Sequence, residues 1–229
     1  HLNYLKPCPS SVFQNELRNY LTSNTEASNA FISSILSQLN WSFSQFVGML
    51  QEIQNASNRP EKVFIDSRQL KICCTCFDLT IALLRVLEMI INLNPNLITK
   101  ADSNDLILNQ LCTMINQILN RLFVPSGCFE FVINLDIPGL ESLSHFPLLS
   151  AAAGLIVALV LKGLPESKEL AINALVSDAS FLPSSMLNLI GQNETLTPSS
   201  FQLEDYTEIN SEEIKVLSEA IDLLLSKHQ

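Results

Sequence analysis

Three cysteines crowd into four positions, Cys73-Cys74-Thr75-Cys76. Thiolates are the soft ligands of zinc and iron–sulfur sites, and they are also the reacting groups of redox centres. A metal site needs its sulfurs to converge. The flanking residues read as a helix, in which successive side chains turn by about 100°. Cys73, Cys74 and Cys76 therefore point in different directions and cannot close on one tetrahedral ion. No second C-x-x-C and no histidine pair completes a ligand set. The spacing fits thiols packed as small hydrophobes, with redox sensitivity and metal binding as rival readings. Cys8, Cys112 and Cys128 are scattered, whereas a secreted disulfide scaffold would be shorter and denser in cysteine.

Other constellations that carry chemistry are sparse. Of the three histidines, His1 and His228 sit at the chain ends and His145 falls in a turn, so none has local support as a partner for a cysteine nucleophile. The phosphate-cradling, dinucleotide-binding and zinc-protease signatures are all absent. Arg85 stands three residues before Glu88 and seven after Asp78, which fits local ion pairing. Glu204, Asp205, Glu208, Glu212 and Glu213 form an acidic run that a solvated loop and a helix start explain. Asn40, Asn55 and Asn193 open glycosylation triplets of the kind expected by chance in a chain rich in Asn and Ser. The residues assign no catalytic, cofactor-binding or metal-binding position, and no cofactor.

The charge balance narrows the class further. A net charge of -10 without basic clusters argues against a nucleic-acid surface, which must neutralise phosphates, and against a polybasic membrane anchor. From Ser142 to Leu161 there is no charged residue. Pro147 interrupts that stretch, leaving about fifteen apolar residues against the ~20 needed to span a bilayer. It reads as a buried core helix. Residues 1–20 lack the apolar core of a signal peptide, and the chain opens on His1 as an excised fragment would.

The elements that must position these residues are helices. Nearly half of the residues are apolar and only 6 are glycine, which favours an all-α fold, either a multi-helix bundle or an irregular helical solenoid. A lead-in and short helix occupy residues 1–25, the helix running from Ser10 or Ser11 to about Asn24. A main helical domain spans 26–190. Its first helix, about Glu26 to Ala56, carries Phe31, Ile35, Leu39, Phe43, Phe46, Leu50 and Ile53 at three-to-four spacing. The next, about Asp66 to Leu93, confines Lys71, Thr75, Asp78, Ala82, Arg85 and Asn92 to one narrow polar stripe, so it must lie in the middle of the domain.

After Pro95, Asp102 or Ser103 caps a helix with Leu108, Leu111, Cys112, Ile115, Leu119 and Leu122 inward. Its Asn109, Thr113, Asn116, Gln117 and Asn120 read as the solvated face. Cys128 to Asp136 is a short helix or an extended piece, and Pro138-Gly139 is a turn. Helices follow at about 147–162, 168–177 and 181–190. A polar loop covers 191–209. The last helix, 210–229, starts at Asn210, with Glu213 placed for a capping box. No period of fixed length stands out, so no named repeat is assigned.

Several segments resemble one family of large ubiquitin ligases that carry an N-terminal SPRY domain and a C-terminal RING. They are LSQLNWSFSQFVGMLQEIQ (Leu36–Gln54), DSRQLKICCTCFDLTIALLRVLEM (Asp66–Met89), LNQLCTMINQILNR (Leu108–Arg121), PGLESLSHFPLLSAAAGLIVALV (Pro138–Val160) and FQLEDYTEINSEEI (Phe201–Ile214). The resemblance implies a non-catalytic helical scaffold or interaction segment before the RING of such a ligase. It implies protein partners: an adaptor with ubiquitin-like and ubiquitin-associated domains, a cyclin-dependent kinase inhibitor as substrate, and a ubiquitin-conjugating enzyme. The last would engage a RING following Gln229, where the zinc would also lie. The implied location is the cytoplasm or the nucleus. Binding is expected at the helices around Trp41–Met49 or at the terminal helix. The rival reading is a free-standing helical adaptor without ligase activity.

Overall fold

The computed structural model describes residues 11–59, 65–99, 105–124, 127–192 and 209–228. Among them are nine helices and no strand: α1 Ser11–Ser23, α2 Thr25–Ser57, α3 Ser67–Leu93, α4 Asp105–Leu122, α5 Cys128–Asn134, α6 His145–Leu161, α7 Pro165–Ser177, α8 Pro183–Leu189 and α9 Ser211–His228. The expected lead-in to Pro9, the caps at Asp102 or Ser103 and most of the polar loop lie outside the described residues.

Local chemistry explains the boundaries. The Asn24 side chain accepts from the Ala27 amide at 3.1 Å and starts α2, and Asp66 accepts from the Arg68 amide at 3.0 Å to start α3. Pro165 and Pro183 stand at the first positions of α7 and α8, where a missing N–H leaves no helical bond unmade. At α9 the expected capping box forms: Asn210 Oδ1 accepts from the Glu213 amide at 2.9 Å, and Glu213 Oε2 accepts from the Asn210 amide at 3.2 Å.

α2 and α3 form an antiparallel hairpin. Gln69 donates to Glu52 near the turn, and Thr80 donates to Ser42 deeper in, so one helix descends as the other climbs. α6 lies on the other side of α3 and runs with it, since Arg85 meets Ser150 and Lys162 donates to Asn92. α3 is thus sandwiched between α2 and α6, in the middle as its composition requires. Its first turns are more open: Ile72 is exposed and Cys74 half-buried. The Phe46, Phe77 and Phe129 rings meet at centroid distances of 5.3, 5.7 and 6.4 Å, joining α2, α3 and α5. This also types α5, since Phe129 and Val132, three residues apart, both face that core.

The uncharged α6 is buried along nearly its whole length, from Leu148 to Val160. It packs against α3, α4, α7 and α9. No described helix is long and apolar enough to cross a membrane. Three readings need correction. Phe31 is exposed and its neighbour Ile32 is buried in its place, a rotation of one residue in the apolar face of α2. His145 opens α6 and packs its ring edge-on to Phe129 at 4.6 Å, instead of sitting in a turn. On α4, only Asn109 and Gln117 of the expected solvated face are exposed; Asn116 is buried, and Thr113 and Asn120 are half-buried.

Candidate interaction site

Two adjoining cavities open between α2 and α4, and together they make a groove. One, of about 350 Å³, lies between Leu36, Ser37 and Asn40 on α2 and Asn109, Gln110 and Gln117 on α4. The other, of about 520 Å³, continues past Gln117 to Phe43, Ser44 and Gly48 on one wall and Asn120 and Arg121 on the other. Buried Leu36, Phe43 and Met114 form an apolar floor, and exposed amide and hydroxyl side chains line the rim. Of the Trp41–Met49 stretch, Phe43, Ser44, Val47 and Gly48 line the second cavity, whereas Trp41 lines neither and the first cavity is lined on α2 by residues before it.

Gly48 is the unusual wall residue. It stands inside a 33-residue helix, where glycine costs about 1 kcal/mol relative to alanine. A Cβ placed there would meet no heavy atom within 4 Å. Packing within the chain does not require the glycine.

Behind the groove, α4 grips the turn after α7. Thr113 donates to Asp178 Oδ2 at 2.5 Å, and Asn116 donates to Asp178 Oδ1 at 3.2 Å and to the Leu175 carbonyl at 3.1 Å. Asn120 donates to the Ser180 carbonyl at 2.7 Å and accepts from Ser185 at 2.8 Å. Burial alone would raise the Asp178 carboxyl, but bonds from Thr113, Asn116 and Ser180 bring it below the usual carboxylate range. This polar row fixes α7 and α8 against α4, so the groove wall is held rigidly from behind.

A second, smaller cavity of about 220 Å³ lies between α6 and the terminal helix α9, lined by Ala153, Gly154, Val157, Ile214 and Leu217 among others. Beneath it, Arg85 pairs with Glu88 at 2.8 Å and donates to Ser150 Oγ at 2.6 Å. Arg85 thus does form the local ion pair expected of it, and it also ties α3 to α6. Burial pushes the Glu88 carboxyl up and the Arg85 guanidinium down, and their pairing opposes both shifts.

The cysteine cluster is split by the helix, as its spacing implies. Cys73 and Cys76 are buried, and Cys74 is half-buried with Sγ 3.2 Å from the Gly139 carbonyl. Burial raises the Cys73 thiol to about 12, with Cys74 and Cys76 adding to the rise, and burial also raises Cys76, Cys112 and Cys128. Such thiols stay largely protonated near neutrality. Among the described residues no three His, Cys, Asp or Glu side chains gather where they could hold a metal ion. His228 packs on Phe181 at 5.0 Å. His1, Cys8, Glu204, Asp205 and Glu208 lie outside the described residues, while Glu212 and Glu213 form the first turn of α9.

Two comparisons bear on this arrangement. A family described as "RNF123-like, TPR repeat" matches residues 29–229. E3 ubiquitin-protein ligase RKP of Arabidopsis thaliana is similar to the chain, at 28% identity over 154 residues. That match covers 66% of this chain but 11% of the relative, so the chain spans about a tenth of that protein's length. The repeat in the family's description went unread in the sequence. Helix lengths from 7 to 33 residues hide any constant period, and α2 alone is about as long as a ~34-residue TPR unit.

Proposed function

The chain belongs to the RNF123-like, TPR repeat family, and from that premise we propose that it is the non-catalytic helical interaction segment of a RING-type ubiquitin-protein ligase. The observation that carries the reading is the family match over nearly the whole chain. The similar Arabidopsis protein, itself a ubiquitin ligase, is consistent with it. The geometry supports a binding role: a groove with a rigid back wall, solvent-facing polar side chains and an open helical glycine. Zinc and the contact with a ubiquitin-charged conjugating enzyme are assigned to a RING elsewhere in the parent ligase. The segment positions that RING and recruits either an adaptor bearing ubiquitin-like and ubiquitin-associated domains or a cyclin-dependent kinase inhibitor, in the cytoplasm or the nucleus.

The test is a reconstituted ubiquitin-transfer assay. The isolated chain, given activating enzyme, conjugating enzyme and ubiquitin, should form no ubiquitin conjugates. The parent ligase lacking these residues should keep RING-dependent self-modification and lose substrate modification. Transfer by the isolated chain, or full substrate modification by the deletion, would overturn the reading.

A further inference from the structure

The cavity between α6 and α9 marks where the two helices do not close on each other. On α6 the lining positions are the small Ala153 and Gly154 and then Val157; on α9 they include Ile214 and Leu217. A side chain on Gly154 would run into the Glu88 carboxylate, so that position stays empty. Val157 and Ile214 are half-buried, which leaves apolar surface open to water that a tighter crossing would cover. A cavity of about 150 Å³ lined by aliphatic and aromatic side chains takes up benzene. This one, at about 220 Å³, is larger by about half and has room for a fused two-ring aromatic of indole size.

The charged groups that border the cavity carry one sign. Glu212 and Glu213, in the first turn of α9, line it, and no Lys, Arg or His does. The positive end of the α9 dipole offsets about half a charge of the two carboxylates, which leaves this end of the cavity net negative. Glu213 commits Oε2 to the Asn210 amide. Glu212 meets Lys215 at 3.7 Å, but the two side chains are 78% and 74% exposed, so the pair is weak and open to exchange. Behind Gly154, the Arg85 guanidinium is held by Glu88 Oε2 and Ser150 Oγ, while Glu88 Oε1 accepts no hydrogen bond among the described residues.

An apolar cavity with a net negative border selects a molecule with an apolar body and a cationic end. An anion would meet two carboxylates, and a neutral hydrocarbon would leave them unused. We propose that the α6–α9 cavity is a binding site for a small organic cation, an aromatic or alkyl amine whose apolar part lies against Ala153, Val157, Ile214 and Leu217 and whose ammonium group lies between Glu212 and Glu213. Such a site is separate from the α2–α4 groove and goes beyond the role of an interaction segment.

Three indoles that differ in charge serve as probes: tryptamine, a cation; 3-methylindole, neutral; and indole-3-propionate, an anion. Each is titrated into the isotope-labelled chain near neutrality, and backbone amide shifts give both the affinity and the place of binding. Tryptamine should saturate with a dissociation constant below about 1 mM, the scale set by its few heavy atoms. The amides of Ala153, Gly154, Ile214 and Leu217 should move most. Binding should weaken about threefold or more for 3-methylindole and about tenfold or more for indole-3-propionate. Replacing both acids, Glu212→Gln with Glu213→Gln, retains a side chain able to complete the capping box and should erase the preference for tryptamine over 3-methylindole. Val157→Phe should fill the cavity and weaken both about tenfold, with melting temperature as the control. Should Val157→Phe melt lower than the parent, Val216→Phe, from the α9 wall, takes its place.

No saturation by tryptamine, equal affinity for the three indoles, or shifts confined to other helices would overturn the site. A preference for tryptamine that survives loss of both acids, or binding that survives the filled cavity, would do the same. None of these results touches the ligase reading, which stands or falls on ubiquitin transfer in the parent protein.

Discussion

The carboxylate of Glu88 on α3 occupies the space that a side chain on Gly154 of α6 would fill. A Cβ on Gly154 would lie 2.6 Å from Glu88 Cδ and press on both carboxylate oxygens. The two helices approach this closely because one presents a glycine where the other buries a charge held by Arg85. Substituting Gly154→Ala should therefore destabilise the fold by about 1–3 kcal/mol despite the better helix former. Denaturant melts of Gly154→Ala, Glu88→Ala and the double variant check it, because relieving the clash makes the two costs less than additive.

Asp178 gathers Thr113, Asn116 and the Ser180 amide. Removing its carboxylate leaves the buried Asn116 amide short of an acceptor, although the Leu175 carbonyl remains. Asp178→Ala should cost about 2–3 kcal/mol and Asp178→Asn less, as read by urea unfolding. Equal losses for the two would mean that the carboxylate's acceptor geometry is not what holds α7 to α4.

Burial lowers the His145 imidazole to about 4 from an ordinary value of 6.5. The unfolded chain binds a proton there at a higher pH than the folded chain does. Stability from this group is therefore fully present above about pH 6.5 and is lost as pH falls towards 4, on the order of 2 kcal/mol. His145→Phe, which keeps an aromatic ring beside Phe129, should flatten the fall in melting temperature between pH 7 and pH 4.5. An unchanged slope would assign the acid sensitivity to groups other than His145.

Among the described cysteines, Cys74 should react first with iodoacetamide in the native state, with Cys128 slower. Buried Cys73, Cys76 and Cys112 should react only as fast as the protein opens. Mass spectrometry of timed samples resolves the order. Rapid labelling of Cys112, which burial beside Asp178 holds in its protonated form, would contradict the packing of α4 against the turn after α7.

Much of the helical framework was legible because its signals are local. The Asn210–Glu213 pair caps where its types and spacing place it, α3 starts beside the expected Asp66, and the inward row of α4 from Leu108 to Leu122 is buried throughout. The candidate site was less legible. Asn116 and Gln117 look alike in sequence, yet one grips a turn about sixty residues away and the other faces solvent. Seven residues are too few for periodicity to type α5. The groove joins residues about seventy positions apart, which no local pattern encodes. Gly48 was the available signal, as one of 6 glycines and the one in the middle of the longest apolar-periodic run.

The burial of α6 has a consequence for how the chain is made. Its earlier-synthesised neighbours, α3 and α4, cover one side, while α7 and α9 cover another. A ribosome that has released Leu161 has therefore delivered an uncharged helix with half of its coat still unmade. That helix stays exposed until the residues up to His228 emerge. A transcript truncated between α6 and α9 yields a product with a long apolar flank open to chaperones and to other chains. Packing of α9 is thus the step that closes this flank of α6.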